Sequence, residues 1–342
     1  MDRSGRVACT AAVPGESAGR YAAAQKAMIE FGDCREIMRR WAQDGVCVQT
    51  CVTSPPYFGL RDYGHDGQIG LEPTPDAYVA AIVEVFQCVR NVLAEDGTVW
   101  LNLGDSYASY RDGKATPDTT RGESEGTLVP KGQAKNRMSS TFAGTSIKHK
   151  DLIGIPWRVA FALQADGWYL RQDIIWHKPN PMPESVRDRC TKAHEYVFLL
   201  SKAERYYFDA EAIKMPARSK SEGIRFGGAK YGDNDDPKFA TKSGNVSKEY
   251  DMANRRSVWT VNTKGYAGAH FATMPPELAE LCILAGSRVG DVVLDPFMGS
   301  GTTAMMALQL QRQYRGCELN EAYKELQDER LSNQQIQMAG LA

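Results

Sequence analysis

The sequence predicts an α/β protein built on a doubly wound sheet. Short apolar segments rich in β-branched residues alternate with longer segments whose apolar residues recur at helical spacing. Near the carboxyl end of the chain, a glycine-rich turn at 295–303 joins one such strand to a helix, as in open α/β sheets. With 342 residues, the chain is long enough for one large domain with an insertion, or for two domains.

Strands and helices alternate regularly in the first half of the chain. Apolar and β-branched residues predict strands at 28–31, 46–52 and 98–103, with helices between them at 34–42 and 77–93. The residues that define the apolar faces are Ile37, Met38 and Trp41 in the first helix, and Val79, Ile82, Val83, Phe86 and Val89 in the second. Asp96-Gly97 marks the turn that separates the second helix from the third strand.

The alternation resumes in the second half. A helix is predicted at 155–166, with Pro156 in the first turn, where proline is well tolerated. The remaining predicted elements are strands at 169–176, 196–200, 289–294 and 314–317, and helices at 275–285, 302–311 and 321–335.

Three segments lack this periodicity. Residues 1–24, rich in Ala, Gly, Ser and Arg, are predicted to form a flexible tail, and the polar segment 105–150 indicates a long loop. Gly, Asp, Asn, Lys and Ser dominate residues 205–265, which indicates an insertion or second lobe. The main domain is therefore predicted to comprise residues 25–204 and 266–342.

Charge is unevenly distributed along the chain. The formal net charge is −1, so binding of a polyanion would depend on local basic segments. Residues 111–150 contain eight Lys or Arg against four Asp or Glu, and residues 214–264 contain eleven against six. Solvated loops have the same composition, so these segments alone do not indicate nucleic-acid binding.

Cysteine, histidine and hydropathy patterns exclude several classes of protein. Eight cysteines lack Cys-x-x-Cys spacing and five histidines form no Cys/His cluster, so no metal site is expected. The sequence contains neither eighteen consecutive apolar residues nor a signal peptide, which predicts a soluble cytoplasmic protein.

The segment Ser54-Pro55-Pro56-Tyr57, here called the tetrad, follows the predicted strand 46–52. Each proline lacks a backbone N–H and fixes φ, so the carbonyls of Ser54 and Pro55 are held rigidly outside a regular sheet ladder. Together with the flat face of Tyr57, these acceptors suit a planar group that carries an NH₂, such as a nucleobase removed from its stack. A tight turn after a strand is the alternative interpretation.

A second motif, Asp295-Pro-Phe-Met-Gly-Ser-Gly-Thr-Thr303, lies between a strand and a helix. Gly299 and Gly301 allow a ligand to approach the backbone, and the N–H groups at the start of the helix point the same way. Glu318 ends the next strand, where an acid can bind both hydroxyls of a ribose. Because no lysine precedes the hydroxyl residues, a triphosphate loop is disfavoured, whereas Asp295 would pair with an α-ammonium group. The motif therefore indicates a nucleoside cofactor with a methionine-like tail.

These two motifs resemble the catalytic and S-adenosylmethionine motifs of bacterial and phage DNA amino-methyltransferases, the N4-cytosine/N6-adenine family. The catalytic motif precedes the cofactor motif, as in the beta-type order of that family. The similarity covers nearly all of residues 28–336, including 98–105 and 173–180. It implies a Rossmann-like, circularly permuted methyltransferase fold, S-adenosylmethionine as the cofactor, double-stranded DNA as the substrate, and a target-recognition role for residues 205–265.

The permuted order has a simple structural consequence. If the chain is followed as a circle, the elements from strand 289–294 to helix 321–335 continue into those from strand 28–31 to strand 46–52. This gives one unbroken half-sheet, with the cut in a solvent-facing connection. The tetrad and the glycine-rich turn would then lie on neighbouring strand ends.

The resemblance also implies the roles of individual residues. The tetrad residues Ser54, Pro55, Pro56 and Tyr57 would bind the base for direct methyl transfer, with Phe58 and Trp176 either lining the pocket or lying in the core. The residues implied for the cofactor are Asp33, Thr53, Asp295, Pro296, Phe297, Gly299, Ser300, Gly301, Thr302 and Glu318. Those implied for DNA are Lys178, Arg187, Arg255 and Arg256. A helix N-cap is the alternative role for Asp33.

Several alternatives remain open at this point. Serine in the first tetrad position is commoner among cytosine-N4 enzymes of the family and aspartate among adenine-N6 enzymes, but both bases present the same amino group. The rival functions are an RNA or protein-amide N-methyltransferase and a catalytically silent DNA-binding relative. A palindromic site would favour a homodimer, and a restriction endonuclease is a further candidate partner.

Overall fold

The computed structural model describes residues 27–60, 64–65, 67–108, 145–217, 251–263 and 274–340. Within these ranges the strands are β1 (Met28–Phe31), β2 (Val48–Thr53), β3 (Leu93–Leu103), β4 (Tyr169–His177), β5 (His194–Ser201), β6 (Met215–Pro216), β7 (Met252–Ala253), β8 (Val258–Thr260), β9 (Val292–Asp295) and β10 (Gln313–Glu318). The helices are α1 (Cys34–Gln43), α2 (Pro75–Val92), α3 (Ile155–Ala165), α4 (Pro276–Gly286), α5 (Thr302–Gln309) and α6 (Lys324–Gly340), with a 3₁₀ turn at Glu321–Tyr323.

The predicted strands and helices are all present, with shifted ends. Strand β3 starts at Leu93 rather than at residue 98, because Leu93 pairs with Val48 of β2, and α6 ends at Gly340 rather than at residue 335. An irregularity in the β2 register then accommodates Asp96-Gly97 within the strand.

Eight strands form one sheet in the order β1-β10-β9-β2-β3-β5-β4-β8. The first five strands in this order pair in parallel, and the first four of them, β1, β10, β9 and β2, are the strands of the half-sheet expected from the permuted sequence. Strand β5 runs antiparallel to both of its neighbours. Since β2 and β9 are adjacent and parallel, with Cys51 opposite Leu294, their carboxyl ends lie together. The two sequence motifs begin at those ends.

Helices cover the sheet in two groups: α1, α2 and α3 pack side by side, as do α4, α5 and α6. All six residues of β2 are buried, as expected for a parallel strand covered on both faces. The main hydrophobic cluster includes Met38 and Trp41 of α1, Phe86 of α2 and Val159 of α3. This core fixes the strand ends that carry the candidate site.

Contacts along the chain define two compact units, Ala210–Arg256 and the remainder, which comprises Met1–Asp209 and Ser257–Ala342. In the smaller unit, β6 pairs with β7, and Arg255 Nε donates to the carbonyl of Ile213 at 2.8 Å. The predicted tail at 1–24 and most of the predicted loop at 105–150 lie outside the described residues. The domain boundaries derived from the sequence stay predictions.

Two findings concern only the described part of the chain. None of its helices has both the length and the apolar character needed to cross a membrane. Its His, Cys, Asp and Glu side chains form no group of three or more that could hold a metal ion.

Candidate active site

The tetrad leaves the sheet immediately after Thr53, the last residue of β2. Pro55 is buried and Ser54 is half-buried. The carbonyl of Pro56 accepts a hydrogen bond from Tyr78 Oη at 2.9 Å. Among the described residues, no donor binds the carbonyl of Pro55. The tetrad is thus anchored through Pro56, while the Pro55 carbonyl keeps the acceptor capacity predicted for it.

Asp295, the last residue of β9, links the two motifs. Its Oδ1 accepts from Thr53 Oγ1 at 2.6 Å and from Phe297 N at 3.0 Å. Its Oδ2 accepts from Thr303 Oγ1 at 2.7 Å. The hydroxyls on either side belong to residues 53 and 303, so one buried carboxylate joins the strand that carries the tetrad to the helix that follows the glycine-rich turn.

Burial dominates the electrostatics of Asp295, whose side chain is only 3 % exposed. Desolvation raises the pKa of this carboxyl from 3.8 to about 6, although the hydrogen bonds from Thr53, Thr303 and Phe297 act in the opposite direction. The sequence did not identify Thr303 as a site residue. Its hydroxyl nevertheless supplies one of the bonds that make the buried charge tolerable.

The glycine-rich turn is held from two sides. Gly299 and Gly301 have φ values of +53° and +81°, in the region that favours glycine. From α6, Gln327 Nε2 donates to the carbonyl of Gly299 at 2.6 Å, and Arg330 Nη1 donates to both the carbonyl and the hydroxyl of Ser300 at 2.7 Å. Pro296 and Thr302, at the two ends of the turn, are buried. The turn is therefore shaped before any ligand binds.

Glu318 ends β10 and closes the other side of the turn. Its Oε2 accepts from Gly299 N at 2.6 Å, and its Oε1 accepts from Asn320 N at 2.8 Å. The Glu318 carbonyl accepts from Gly32 N at 2.8 Å, which brings the end of β1 beside it. Burial raises the pKa of the Glu318 carboxyl, against the hydrogen bonds from the backbone.

Asp33 caps α1. Its Oδ1 accepts from Arg35 N at 2.7 Å, and the same carboxylate pairs with the Arg35 guanidinium at 2.5 Å. The hydrogen bond from the Arg35 side chain is the main reason that the pKa of Asp33 lies below its usual value. The capping alternative for Asp33 is confirmed, and its cofactor role stays a prediction.

The side chains around the turn fit an adenosine group with a cationic tail. Two buried acids, Asp295 and Glu318, stand at neighbouring strand ends. Phe297, two residues after Asp295, is half-buried and packs against the main hydrophobic cluster. No basic residue lies within 295–303 to bind a phosphate chain.

A polar cluster around Tyr57 escaped the sequence analysis. Tyr57 Oη donates to Glu195 Oε2 at 2.6 Å, and Asn102 Nδ2 donates to the same carboxylate oxygen at 3.0 Å. Lys178 Nζ pairs with Glu195 Oε1. Burial and the Glu195 charge hold the pKa of Tyr57 well above its usual range. Asn102 lies within the segment 98–105 that carries the family resemblance, but neither it nor Glu195 was assigned a role, because the two lie on different strands and meet Tyr57 only in the folded sheet.

The four residues proposed for DNA contacts differ in their surroundings. Lys178 is mostly buried and paired with Glu195. Arg187 and Arg256 are exposed, and Arg255 is bonded to Ile213 in the smaller unit. Their DNA roles stay predictions.

Phe58 and Trp176 are 3 % and 4 % exposed, so both belong to the core. Phe58 packs against Tyr78, and Trp176 Nε1 donates to the carbonyl of Val261 at 2.9 Å.

Comparison with known proteins connects this geometry to a family. Residues 48–329 match the N6_N4_Mtase family, described as DNA methylase. The Type II methyltransferase M.SmaI of Serratia marcescens is 48 % identical over 303 residues, covering 89 % of this chain and 90 % of the relative. M.Cfr9I of Citrobacter freundii, also a Type II methyltransferase, is 44 % identical over 312 residues, covering 91 % and 89 %.

Two solved structures share the fold. The PvuII DNA methyltransferase, cytosine-N4-specific, has a TM-score of 0.56 at 17 % identity, covering 90 % of this chain and 86 % of that one. TTHA0409 of Thermus thermophilus, solved with S-adenosyl-L-methionine, has a TM-score of 0.52 at 22 % identity, covering 90 % of this chain and 94 % of that one.

Proposed function

Because this chain belongs to the N6/N4 DNA methylase family, we propose that it methylates the N4 amino group of cytosine in duplex DNA and that the tetrad holds that amino group. The enzyme class is a site-specific DNA amino-methyltransferase that uses S-adenosylmethionine. What the family leaves open is which base is modified and which residues act.

The observation that carries the proposal is the hydrogen bond between Thr53 and Asp295. These residues are 242 positions apart, yet their side chains meet at 2.6 Å. The residue after Thr53 opens the tetrad, and the residues after Asp295 form the glycine-rich turn. A base held at the tetrad would therefore lie beside a nucleoside held at the turn, which is the arrangement that direct group transfer requires.

The target amino nitrogen is a weak nucleophile because its lone pair is delocalised into the base. S-Adenosylmethionine supplies an electrophilic methyl group when it is bound. The Ser54 hydroxyl and the Pro55 carbonyl would accept hydrogen bonds from the two N–H groups and so localise the lone pair. The base must first leave the helical stack, and stacking on Tyr57 would offset part of that cost, by about 1–3 kcal/mol.

Two strand ends would position the cofactor. Glu318 would bind the ribose hydroxyls, since its carboxylate is already oriented by Gly299 N and Asn320 N. Asp295 would act on the α-ammonium group of the methionine tail, while its bonds to Thr53 and Thr303 fix its orientation. Phe297 would supply an apolar face beside them.

Two observations support cytosine over adenine. The first tetrad residue is Ser54, and the family resemblance associates serine at this position with cytosine-N4 enzymes more often than with adenine-N6 enzymes. The similar PvuII structure is cytosine-N4-specific.

The family match favours DNA over RNA or a protein amide as the substrate, and the intact tetrad argues against a silent relative. A homodimer and a restriction endonuclease partner stay predictions.

The test is nucleoside mass spectrometry of DNA from cells that express the protein, with Ser54→Ala as the matched control. We expect N4-methylcytosine in DNA from cells with the unmodified protein and none above background with the variant. N6-methyladenine instead would overturn the assignment of cytosine, and modification by Ser54→Ala at the same level would overturn the role of the tetrad.

A further inference from the structure

Glu195, near the start of β5, accepts hydrogen bonds from three different segments of the fold. Its partners are Tyr57 in the tetrad, Asn102 near the end of β3, and Lys178 directly after β4. The carboxylate lies where strands β3, β5 and β4 run side by side, and its side chain is 15 % exposed. Nothing in the methyl-transfer scheme above requires this carboxylate.

The hydrogen-bond directions in this cluster follow from the donor capacity of each group. A carboxylate only accepts, so the Tyr57 hydroxyl must be the donor in the 2.6 Å bond to Glu195. Asn102 Nδ2 donates to Glu195 at 3.0 Å and lies 3.4 Å from Tyr57 Oη. The Lys178 ammonium provides the countercharge for the buried carboxylate, and it also lies 4.3 Å from the centre of the Trp176 ring. Both oxygens of the Glu195 carboxylate are therefore bound, Oε2 by Tyr57 and Asn102 and Oε1 by Lys178.

The backbone after β3 packs directly against one edge of the Tyr57 ring. A methyl group in place of a hydrogen on Gly104 would lie 2.5 Å from Cε2 of Tyr57, so the backbone after β3 abuts the ring. The preceding residue is anchored as well, since Tyr78 binds the carbonyl of Pro56. Tyr57 is therefore contacted at its ring edge by Gly104 and at its hydroxyl by Glu195, and the backbone before it is held by Tyr78.

We propose that Glu195 is a positioning residue for methyl transfer, which acts by fixing the Tyr57 hydroxyl so that the ring is oriented for the target base before DNA binds. Lys178 and Asn102 hold the carboxylate in place. Glu195 itself touches neither base nor cofactor. This inference rests on the proposed function of the tetrad.

A double-mutant cycle tests the inference. Glu195→Gln keeps the volume of the side chain but removes its charge, and Tyr57→Phe keeps the ring but removes the hydroxyl. Each variant and the double variant are assayed with plasmid DNA and methyl-labelled S-adenosylmethionine, and kcat, the KM for the cofactor and the thermal midpoint are measured. We expect each single change to lower kcat by about 10-fold, the effect of one lost hydrogen bond of about 1.4 kcal/mol. The KM for the cofactor should stay within about 2-fold of the unmodified value.

The decisive result is the double variant. If Glu195 acts through Tyr57, kcat of the double variant should fall about 10-fold and not about 100-fold, because Glu195→Gln weakens the same hydrogen bond that Tyr57→Phe removes. Independent effects that multiply would overturn the inference, as would an unchanged kcat in Glu195→Gln. A fall in activity that merely follows a lower thermal midpoint would also contradict it.

Glu95→Gln is the matched control. Glu95 pairs with Lys202 at 2.8 Å near the opposite end of β3, so Glu95→Gln makes the same chemical change at a more exposed ion pair far from the tetrad. Its kcat should equal that of the unmodified protein. If both the control and the unmodified protein fail to methylate DNA, the proposed function fails. If they methylate and Glu195→Gln does so equally well, only the positioning role fails.

Discussion

The difference in unfolding free energy between Asp295→Asn and wild type should shift in favour of the variant as the pH rises. Burial raises the pKa of Asp295 from 3.8 to about 6, so the folded protein holds this proton more tightly than the unfolded chain. The contribution of Asp295 to stability is therefore complete below about pH 4 and is lost as the pH rises through about 6. Asp295→Asn removes this dependence, because an amide does not titrate.

The magnitude follows from the size of the shift. A shift of about 2 units corresponds to about 3 kcal/mol in total. Between pH 5 and pH 8, where the folded protein can be studied, linkage gives a change of about 1.4 kcal/mol. The asparagine amide bonds less well than the carboxylate to Thr53 or Thr303. This lowers the stability of the variant by the same amount at every pH, so only the change of the stability difference with pH is compared.

The assay is urea unfolding of both proteins at pH 5, 6, 7 and 8, followed by tryptophan fluorescence. We expect the unfolding free energy of Asp295→Asn, minus that of wild type, to increase by about 1.4 kcal/mol from pH 5 to pH 8. The affinity of the variant for S-adenosylmethionine should fall at the same time. A stability difference that does not change with pH would refute the view that Asp295 is a desolvated acid that titrates near pH 6.

Three further substitutions test the site. Thr53→Val removes one donor to Asp295 and should lower the free energy of unfolding at pH 8 by about 1–3 kcal/mol in urea titrations. Gly104→Ala places a methyl group against Tyr57 and should lower both kcat and, by about 1–3 kcal/mol, stability. Glu318→Gln puts an NH₂ opposite a backbone N–H and should weaken S-adenosylmethionine binding, measured calorimetrically, by roughly 10- to 100-fold.

Each of these substitutions has a matched control. Thr50→Val removes a buried hydroxyl of β2 that bonds to Thr98 rather than to Asp295. Its cost in stability should be the same at pH 5 and pH 8, whereas the cost of Thr53→Val should be larger at pH 8, where Asp295 is ionised. Gly97→Ala overpacks β3 against Leu93, where the added carbon would meet Cγ at 2.6 Å, and should lower stability while kcat is kept. The exposed Glu329→Gln should leave cofactor affinity unchanged. Equal effects in a substitution and its control would contradict the assigned contact.

The sheet could be predicted because its strands are marked by local patterns. The segment that became β2 is rich in apolar and β-branched residues, and Ser54 follows it directly, so the sequence could place the tetrad at a strand end. Reading the chain as a circle also placed β9 beside β2, as observed. The early start of β3 was not readable, because Asp96-Gly97 has the composition of a turn and is accommodated only by an irregular pairing with β2.

The parts of the site that lie within or next to a continuous sequence motif could be predicted. Asp295 stood out because it ends the strand before the glycine-rich turn, and Glu318 because it is the acid that ends the next strand. Glu195 and Asn102 did not, since their importance depends on the strand order β3-β5-β4, which no local sequence pattern specifies. Lys178 was noticed only for its charge, and its ion pair with Glu195 could not be foreseen.

In the proposed mechanism, Ser54 accepts a hydrogen bond from the target amino group beside the cofactor turn. The most direct measurement is the single-turnover rate of methyl transfer by Ser54→Ala, together with its affinity for S-adenosylmethionine. We expect the rate to fall by roughly 100-fold or more, as when one preorganised hydrogen-bonding group is removed from an active site, while cofactor affinity stays unchanged. Methyl transfer at the wild-type rate would contradict the account.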